Sequence, residues 1–211
     1  DPTSGKSVRA ELDEVDDNLA QLAGNVSVKM ANLFTNGDFS NGSTGWDTSI
    51  PETTYAVANG ILTATRMTDG NSVILIRKQA GETPPNSVLY TRYRVRVLHA
   101  GATSISINYG GAVNTIISSP NANQWYDAID RYTSGGNAYL RSGVRAVYQT
   151  GQALTGYAIE VDYGIHINLT QMFGSGNEPT KEEMDLLISI MGVTYFEGEI
   201  TIPAQKVMQW Q

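Results

Sequence analysis

The fold is decided by the stretch Asn32-Leu-Phe-Thr-Asn-Gly-Asp-Phe-Ser-Asn-Gly-Ser-Thr-Gly-Trp46. Its two Asn-Gly pairs, at 36–37 and 41–42, favour tight turns, because Asn and Gly adopt positive φ at little cost. Phe39 stands between these turns and Trp46 follows them, and both large apolar side chains need a core to enter. A segment that turns twice and inserts two aromatic rings is typical of the rim of a β-sandwich. We expect both rings to serve the core.

Length and composition bound the classes of protein that the chain can be. Its 211 residues are enough for one sizeable β domain or two small ones. The absence of cysteine excludes a disulfide framework, thiolate chemistry and a Cys-ligated metal. No apolar run approaches the length of a transmembrane helix, so we expect no membrane insertion. The polar start is not a signal peptide, and its composition predicts a C-terminal fragment of a longer chain.

Charge is distributed unevenly along the chain. The formal net charge is −7, which disfavours nucleic acid as a partner. Residues 66–145 nevertheless contain nine basic residues, eight of them Arg, against four acidic ones. The middle of this acidic protein is therefore locally basic.

The N-terminal segment has the apolar spacing of a coiled coil. The apolar positions, separated by alternating steps of four and three, are Val8, Leu12, Val15, Leu19, Leu22 and Val26. This narrow seam favours self-association, with a homotrimer as the predicted state, over the alternative of a helix packed on its own domain. Gly24 ends the helix and residues 27–31 are predicted to be a linker. The chain then divides into a coiled-coil helix with its linker at 1–31 and a β domain at 32–211.

Short β-like segments follow one another in the β domain, separated by Gly-, Asn- and Pro-rich turns. The predicted strands are 55–58, 61–66, 72–78, 87–99, 104–109, 114–118, 125–132, 138–149 and 157–169. Eight or nine such strands without helices between them indicate an antiparallel sandwich. The fold class is therefore mainly β.

Two of these strands alternate apolar and basic residues with period two. The polar faces comprise Tyr90, Arg92, Arg94 and Arg96 on one strand and Tyr139, Arg141 and Arg145 on the other. If the strands share a sheet, these residues form one surface. That surface is either a solvated face or a binding site, since guanidinium groups suit phosphate and carboxylate and tyrosines offer flat contacts to sugars.

Three further aromatic residues adjoin Gly- and Asn-rich loops: Tyr109, Trp125 and Tyr126. Aromatic rings at loop tips are common platforms for stacking on sugars. We include them as candidate carbohydrate-binding residues, with burial in the core as the alternative for Trp125.

A capping box begins a short helix near the C-terminus. Thr180 is followed by Glu183, and Pro179 precedes both, which predicts a helix over 181–191 that Gly192 ends. The segment 196–207 then has the pattern of a last strand.

Two stretches resemble known proteins. The pattern N-L-x-x-N-G-D-F-x-x-G-x-x-G-W at 32–46 resembles the opening of jelly-roll carbohydrate-binding modules, including versions on bacteriophage tails. The string L-T-x-M-F-G-x-G-N-E-P-T-x-E-E at 169–183 resembles a segment of tail and minor structural proteins of phages that infect Gram-positive bacteria. Together they imply a jelly roll in a phage tail fibre or baseplate protein of the virion. The implied partners are other tail proteins and a host cell-wall glycan or teichoic acid.

The resemblance also implies a structural calcium ion, with ligands from the opening segment and from the last strand. The matching residues are Asp38 and Asp162. The acids that usually follow them are replaced here by Ser40 and Tyr163. The alternative is that the Asp38 side chain caps a turn.

We expect no enzymatic activity. The chain has two histidines, His99 and His166, and neither has an adjacent nucleophile or metal-ligand spacing. Asp127 and Asp130 are the nearest approach to a glycosidase pair, but two acids in one short strand are usually surface residues. The predicted function is non-covalent binding of host cell-wall carbohydrate by an oligomeric tail module. The alternative is a structural spacer with the same fold and no ligand.

Overall fold

Antiparallel strands dominate the part of the chain that the computed structural model describes, residues 27–78, 84–136 and 141–203. The strands are β1 Ser27–Ala31, β2 Thr53–Ala58, β3 Ile61–Arg66, β4 Val73–Arg77, β5 Val88–Val97, β6 Ala102–Tyr109, β7 Ala112–Ser118, β8 Tyr126–Thr133, β9 Ser142–Tyr148, β10 Ala158–Asn168 and β11 Glu199–Pro203. The helices are α1 Leu169–Phe173 and α2 Lys181–Met191. None of the helices in these ranges is long and apolar enough to cross a membrane.

Two sheets pack face to face around the main core. One has five strands in the order β2-β3-β10-β5-β8, and the other has four in the order β4-β9-β6-β7. Leu62 and Val95 from the first sheet and Ile107 and Val144 from the second belong to one cluster of fully buried side chains. The predicted antiparallel β-sandwich is confirmed.

The opening stretch at 32–46 inserts its aromatic rings into this core, as expected. Phe39 and Trp46 are 1% and 2% exposed, with ring centroids 4.8 Å apart. Trp46 Nε1 donates a hydrogen bond to the backbone oxygen of Asn36 at 2.9 Å, so the polar edge of the buried ring is satisfied. The segment is therefore fixed to the sandwich rim by its own side chains.

Helix α2 covers one end of the outer face of the five-stranded sheet. Its buried side chains Met184, Leu187 and Ile188 form a second apolar cluster with Ile165 and Ile167 of β10. The predicted capping box is present, because Thr180 accepts from Glu183 N while the Glu183 carboxylate accepts from Thr180 N. The predicted helix over 181–191, ended by Gly192 at a φ of 69°, is confirmed.

Two features of the fold differ from the sequence expectations. Ser27–Ala31, expected to be a linker, is a strand that pairs with Glu199–Pro203, which lies within the predicted last strand at 196–207. Leu169–Phe173 is a helical turn that begins at the last residue of the predicted strand at 157–169, and Asn168 caps it by accepting from Gln171 N. The predicted coiled coil at 8–26 lies outside the described residues.

Candidate functional site

The candidate arginines divide between two different surfaces. Arg92, Arg94 and Arg96 lie on β5 of the five-stranded sheet, whereas Arg145 lies on β9 of the four-stranded sheet and Arg141 directly precedes β9. The predicted alternation is confirmed for β5 and for the described part of the second strand, Ser142–Tyr148. The expected single arginine surface is wrong, because β5 pairs with β8 and β10 while β9 pairs with β4 and β6.

On the outer face of the five-stranded sheet, every arginine of β5 faces a carboxylate of a neighbouring strand. The ion pairs are Arg92–Asp127 at 3.0 Å, Arg94–Asp162 at 3.3 Å and Arg96–Glu160 at 2.6 Å. Three positive charges therefore meet three negative ones. Burial acts to lower the pKa of Arg92, but Tyr163 and Asp127 outweigh it and raise this pKa, so the pairing favours the charged state. We call this neutral surface the paired face.

Trp125 lies on the paired face and is half-buried. The guanidinium carbons of Arg94 and Arg96 stand 5.5 Å and 4.6 Å from its ring centroid. Cation–π contacts of this kind stabilise the arginine row itself. Trp125 is therefore outside the core, and its ring is already in contact with the guanidinium groups of Arg94 and Arg96.

Three of the tyrosine candidates occupy other environments than expected. Tyr90 is fully buried beneath α2 and donates a hydrogen bond to Asp185 at 2.6 Å. Tyr109 is fully buried in the core and stacks on Tyr132 at 4.2 Å between ring centroids. Tyr126 packs against the same core and accepts a hydrogen bond from Asn121 N. Tyr90 and Tyr109 cannot stack on a sugar in this fold, and Tyr139 lies outside the described residues.

The outer face of the four-stranded sheet has a row of side chains across all four strands. Arg145 of β9 has Leu75 of β4 as its register partner on one side and Ser106 of β6 on the other. Ser106 is in turn the register partner of Thr115 of β7. Ser106 Oγ lies 3.4 Å from Thr115 Oγ1 and 3.4 Å from Ser104 Oγ. The row therefore combines an arginine with a chain of hydroxyl groups. We call this surface the open face, because the described helices pack on the five-stranded sheet and on β1.

Arg145 stands at the centre of the open face. Its Nε is buried and has no hydrogen-bond partner among the described residues, and no ion pair joins its guanidinium to a carboxylate in those ranges. The Nε atoms of Arg92 and Arg94 also lack a hydrogen bond, but both of those side chains lie beside a carboxylate. Burial lowers the pKa of Arg145, which is the direction expected for a cation without a counter-ion.

Asp47 is the acid at one end of the open face, and two arginines share it. Its Oδ2 lies 2.7 Å from Arg77 Nε and 3.6 Å from Arg141 Nη1. Burial acts to raise the pKa of Asp47, but hydrogen bonds from Ser49 and Arg77 outweigh it and hold this pKa below its usual value. The carboxylate is ionised and neutralises one of the two arginines.

Several open-face residues were absent from the sequence prediction: Leu75, Arg77, Asp47, Ser104, Ser106 and Thr115. Ser and Thr in a strand carry no local sign of function, and their proximity to Arg145 depends on long-range pairing. Tyr109 could have been assigned correctly from the sequence, because it shares the parity of the buried Ile105 and Ile107.

Two cavities lie at the edges of the sandwich. A depression of about 380 Å³ adjoins the Ser104 end of the open face and is lined by loop residues that include Thr103, Ser119 and Gln149. A second, of about 420 Å³, lies between β1, β11 and α1 and is lined in part by Lys29, Gln171 and Glu199. No described residue that lines either cavity is an arginine of the open face or of the paired face.

The residues proposed for calcium make other contacts here. Asp38 Oδ1 accepts hydrogen bonds from Ser40 N and Ser40 Oγ, as expected for the turn-capping alternative. Asp162 is paired with Arg94. Among the described residues, no group of three or more His, Cys, Asp or Glu side chains is placed to bind a metal. These contacts do not fit the proposed ligand set, and calcium binding stays a prediction.

Asp127 and Asp130 occupy opposite sides of β8. Asp127 pairs with Arg92 on the paired face, whereas Asp130 accepts a hydrogen bond from Asn114 of the opposite sheet. Two carboxylates that face away from each other cannot flank one glycosidic bond.

The fully buried His166 contacts Thr91 Oγ1 through Nδ1 at 2.7 Å.

Comparison with known proteins identifies structural relatives but no family. No protein-family profile and no curated protein matches the sequence. The N-terminal CBM22-1-CBM22-2 tandem domain of Xyn10C from Paenibacillus barcinonensis matches with a TM-score of 0.50 at 14% identity, over 65% of this chain and 50% of that chain. A family 16 carbohydrate-binding module and the module TmCBM61, solved with β-1,4-galactotriose, have TM-scores of 0.44 at 13% identity. These two matches cover 65% of this chain and 100% and 98% of the respective relatives.

At these identities the similarity concerns the fold. The structural neighbours are carbohydrate-binding modules, and the antiparallel β-sandwich is the architecture they share with this chain. Because one fold serves many functions, the function has to be argued from the surfaces described above.

Proposed function

We propose that this chain is a non-catalytic carbohydrate-binding module and that its open face contacts the glycan. The observation that carries the proposal is the row Leu75–Arg145–Ser106–Thr115, in which Ser106 is buried but Leu75 and Arg145 are partly exposed and Thr115 is exposed, so that apolar surface, a guanidinium and a hydroxyl reach the surface of one rigid sheet. Sugars likewise present hydroxyl groups and apolar C–H faces next to each other. The fold of the solved neighbours supports the class of ligand.

The open face is favoured over the paired face for an energetic reason. On the paired face, a ligand must compete with three ion pairs and with the contacts between Trp125 and its two arginines. On the open face, Arg145 has no such partner among the described residues. Binding there breaks no existing pair, so less of the interaction energy is spent on reorganisation.

We further propose that the module belongs to a phage tail or baseplate and binds a host cell-wall glycan. Support comes from the resemblance of the stretches at 32–46 and 169–183 to phage tail proteins. The apolar seam at 8–26 would join three copies. Three weak sites on one particle raise the apparent affinity through effective concentration.

The proposal is tested with the full chain on a glycan array and in pull-down with purified Gram-positive cell walls. Binding to at least one glycan or wall preparation is the expected result. Leu75→Asp and Thr115→Trp should weaken it, because both change the open face, while Thr63→Trp on the other sheet serves as the matched control. Absence of binding to every glycan and wall preparation would favour the spacer function.

Oligomerisation is tested separately by removing residues 1–26. Light scattering should show a trimer for the full chain and a monomer for the shortened one, with apparent wall affinity falling as valency is lost. An unchanged oligomeric state after truncation would refute the role of the seam.

A further inference from the structure

The two outer faces of the sandwich differ in charge balance. The three arginines of the paired face have one carboxylate each, namely Asp127, Asp162 and Glu160. The open face has Arg77, Arg141 and Arg145 against Asp47. Among the residues that the structure describes, the open face therefore has two positive charges in excess. The two faces thus provide an internal comparison between a neutralised and an unneutralised arginine cluster.

The position of Arg145 makes its lack of a counter-charge costly. Its Nε is buried, it is flanked across the strands by Leu75 and Ser106, and Ser106 itself is 1% exposed. A partly desolvated cation without a partner destabilises the folded state. An anionic ligand that supplied the missing charge would remove this cost.

The geometry around Arg145 suits an anion attached to a sugar. The hydroxyls of Ser106 and Thr115 continue the row away from the guanidinium. At the adjacent register position Gly143 faces Arg77, whose Cβ would lie 2.6 Å from a Cβ built on that glycine. The space beside Gly143 is therefore filled by Arg77, which like Arg141 lies close to Asp47, so Arg145 is the arginine of this face that is left for a ligand. A carboxylate or phosphate can therefore contact the guanidinium of Arg145 while the attached sugar ring lies over the exposed Thr115.

We propose that the open face selects acidic glycans, with Arg145 binding the carboxylate or phosphate of the saccharide. This inference rests on the proposed function and specifies its ligand class. Uronic acids and sugar or polyol phosphates share the anionic group, and the experiment separates them.

Affinity is measured for the full chain with three polymers: polygalacturonate, polyglycerol-phosphate teichoic acid and neutral β-1,4-galactan. We expect at least one acidic polymer to bind about tenfold more tightly than galactan, because a charge-assisted hydrogen bond is worth about 1.5–3 kcal/mol. Preference for polygalacturonate identifies a carboxylate ligand, and preference for the teichoic acid a phosphate ligand. Added salt should reduce the preference.

Variants assign the effect to Arg145. Arg145→Leu should lose about tenfold in affinity for the acidic polymer, while Arg94→Ala on the paired face should stay within about twofold. The Tm of Arg145→Leu should equal or exceed that of the wild type, because the substitution removes a partly desolvated cation without a partner. Arg145→Lys, which keeps the charge but loses the planar fork, should bind with intermediate affinity.

Several results would overturn the inference. Equal affinity for galactan and the acidic polymers would remove the selectivity while leaving carbohydrate binding intact. A loss of affinity in Arg94→Ala but not in Arg145→Leu would place the anion site on the paired face. A marked fall in Tm for Arg145→Leu would make Arg145 a structural residue. Binding to none of the glycans on the array would refute the proposed function along with the inference.

Discussion

Gly143 and Arg77 face each other across β9 and β4 so closely that a Cβ on the glycine would lie 2.6 Å from the Cβ of the arginine. It would also lie 2.6 Å from the backbone oxygen of Ile76. Gly143→Ala should therefore force the two strands apart and lower the free energy of unfolding by about 1–3 kcal/mol. Chemical denaturation measures this change. Gly111→Ala is the matched control, because a Cβ there meets nothing within 4 Å. Equal stability of the two variants would contradict the close approach.

Tyr90 is expected to contribute to stability and not to ligand binding. Its hydroxyl donates to the Asp185 carboxylate of α2 from a fully buried ring. Tyr90→Phe should lower the free energy of unfolding by about 1.5 kcal/mol, because a hydrogen bond to a charged group is lost. Affinity for any glycan should be unchanged. Tyr126→Phe, which loses an exposed contact with Asn121, should have a smaller effect on stability. A loss of glycan affinity in Tyr90→Phe with unchanged stability would restore the original binding assignment.

The N-cap of α2 should be measurable in the same way. Thr180→Ala removes the side chain that accepts from Glu183 N, and about 1 kcal/mol of stability should be lost. Ser189→Ala on the exposed side of the helix is the control and should be close to neutral. If both substitutions have the same effect, the capping box does not stabilise the helix.

His166 should make stability depend on pH. Burial lowers its pKa to about 3 in the folded state, below the ordinary value of 6.5. Between pH 6.5 and about pH 3 the His166 imidazole is protonated in the unfolded chain but neutral in the folded protein. Protonation therefore favours the unfolded chain, so the free energy of unfolding is highest above pH 6.5 and falls as the pH is lowered. Between about pH 7 and about pH 5 the free energy of unfolding should fall by about 2 kcal/mol.

Denaturation of the wild type and of His166→Gln at both pH values isolates this contribution. The fall in the free energy of unfolding between the two pH values should be smaller in His166→Gln than in the wild type, whatever the variant's absolute stability. Asp47 and Glu178 have lowered pKa values and titrate below the chosen window. An identical change in the free energy of unfolding with pH in the two proteins would show that another group causes the pH dependence.

Local signals in the sequence were sufficient for some elements of the fold. The capping box at Thr180 and Glu183 and the terminating Gly192 define α2 because these interactions are made within a few residues. The faces of β5 and β9 follow from period-two alternation, which is a property of any strand. The burial of Phe39 and Trp46 was likewise predictable from their apolar size.

The remaining features depend on partners that are distant in sequence. Whether Arg94 and Arg145 share a surface is decided by strand pairing, which the alternation of each strand leaves open. Tyr90 has the parity of an exposed residue and is buried because α2 packs over it. Ser27–Ala31 forms a strand because Glu199–Pro203 returns to pair with it. Ser106 and Thr115 could not be chosen from the sequence either, because the strand register is what places them in one row with Arg145.

The most direct test of the open face is an NMR titration of the ¹⁵N-labelled chain with the glycan that binds most tightly on the array. We expect amide shifts to concentrate on outward-facing residues of the four-stranded sheet, around Arg145 and Thr115, and to saturate at about tenfold higher glycan concentration in Arg145→Leu. Shifts centred on Arg94, Trp125 and Asp162 would place the ligand on the paired face and contradict this expectation.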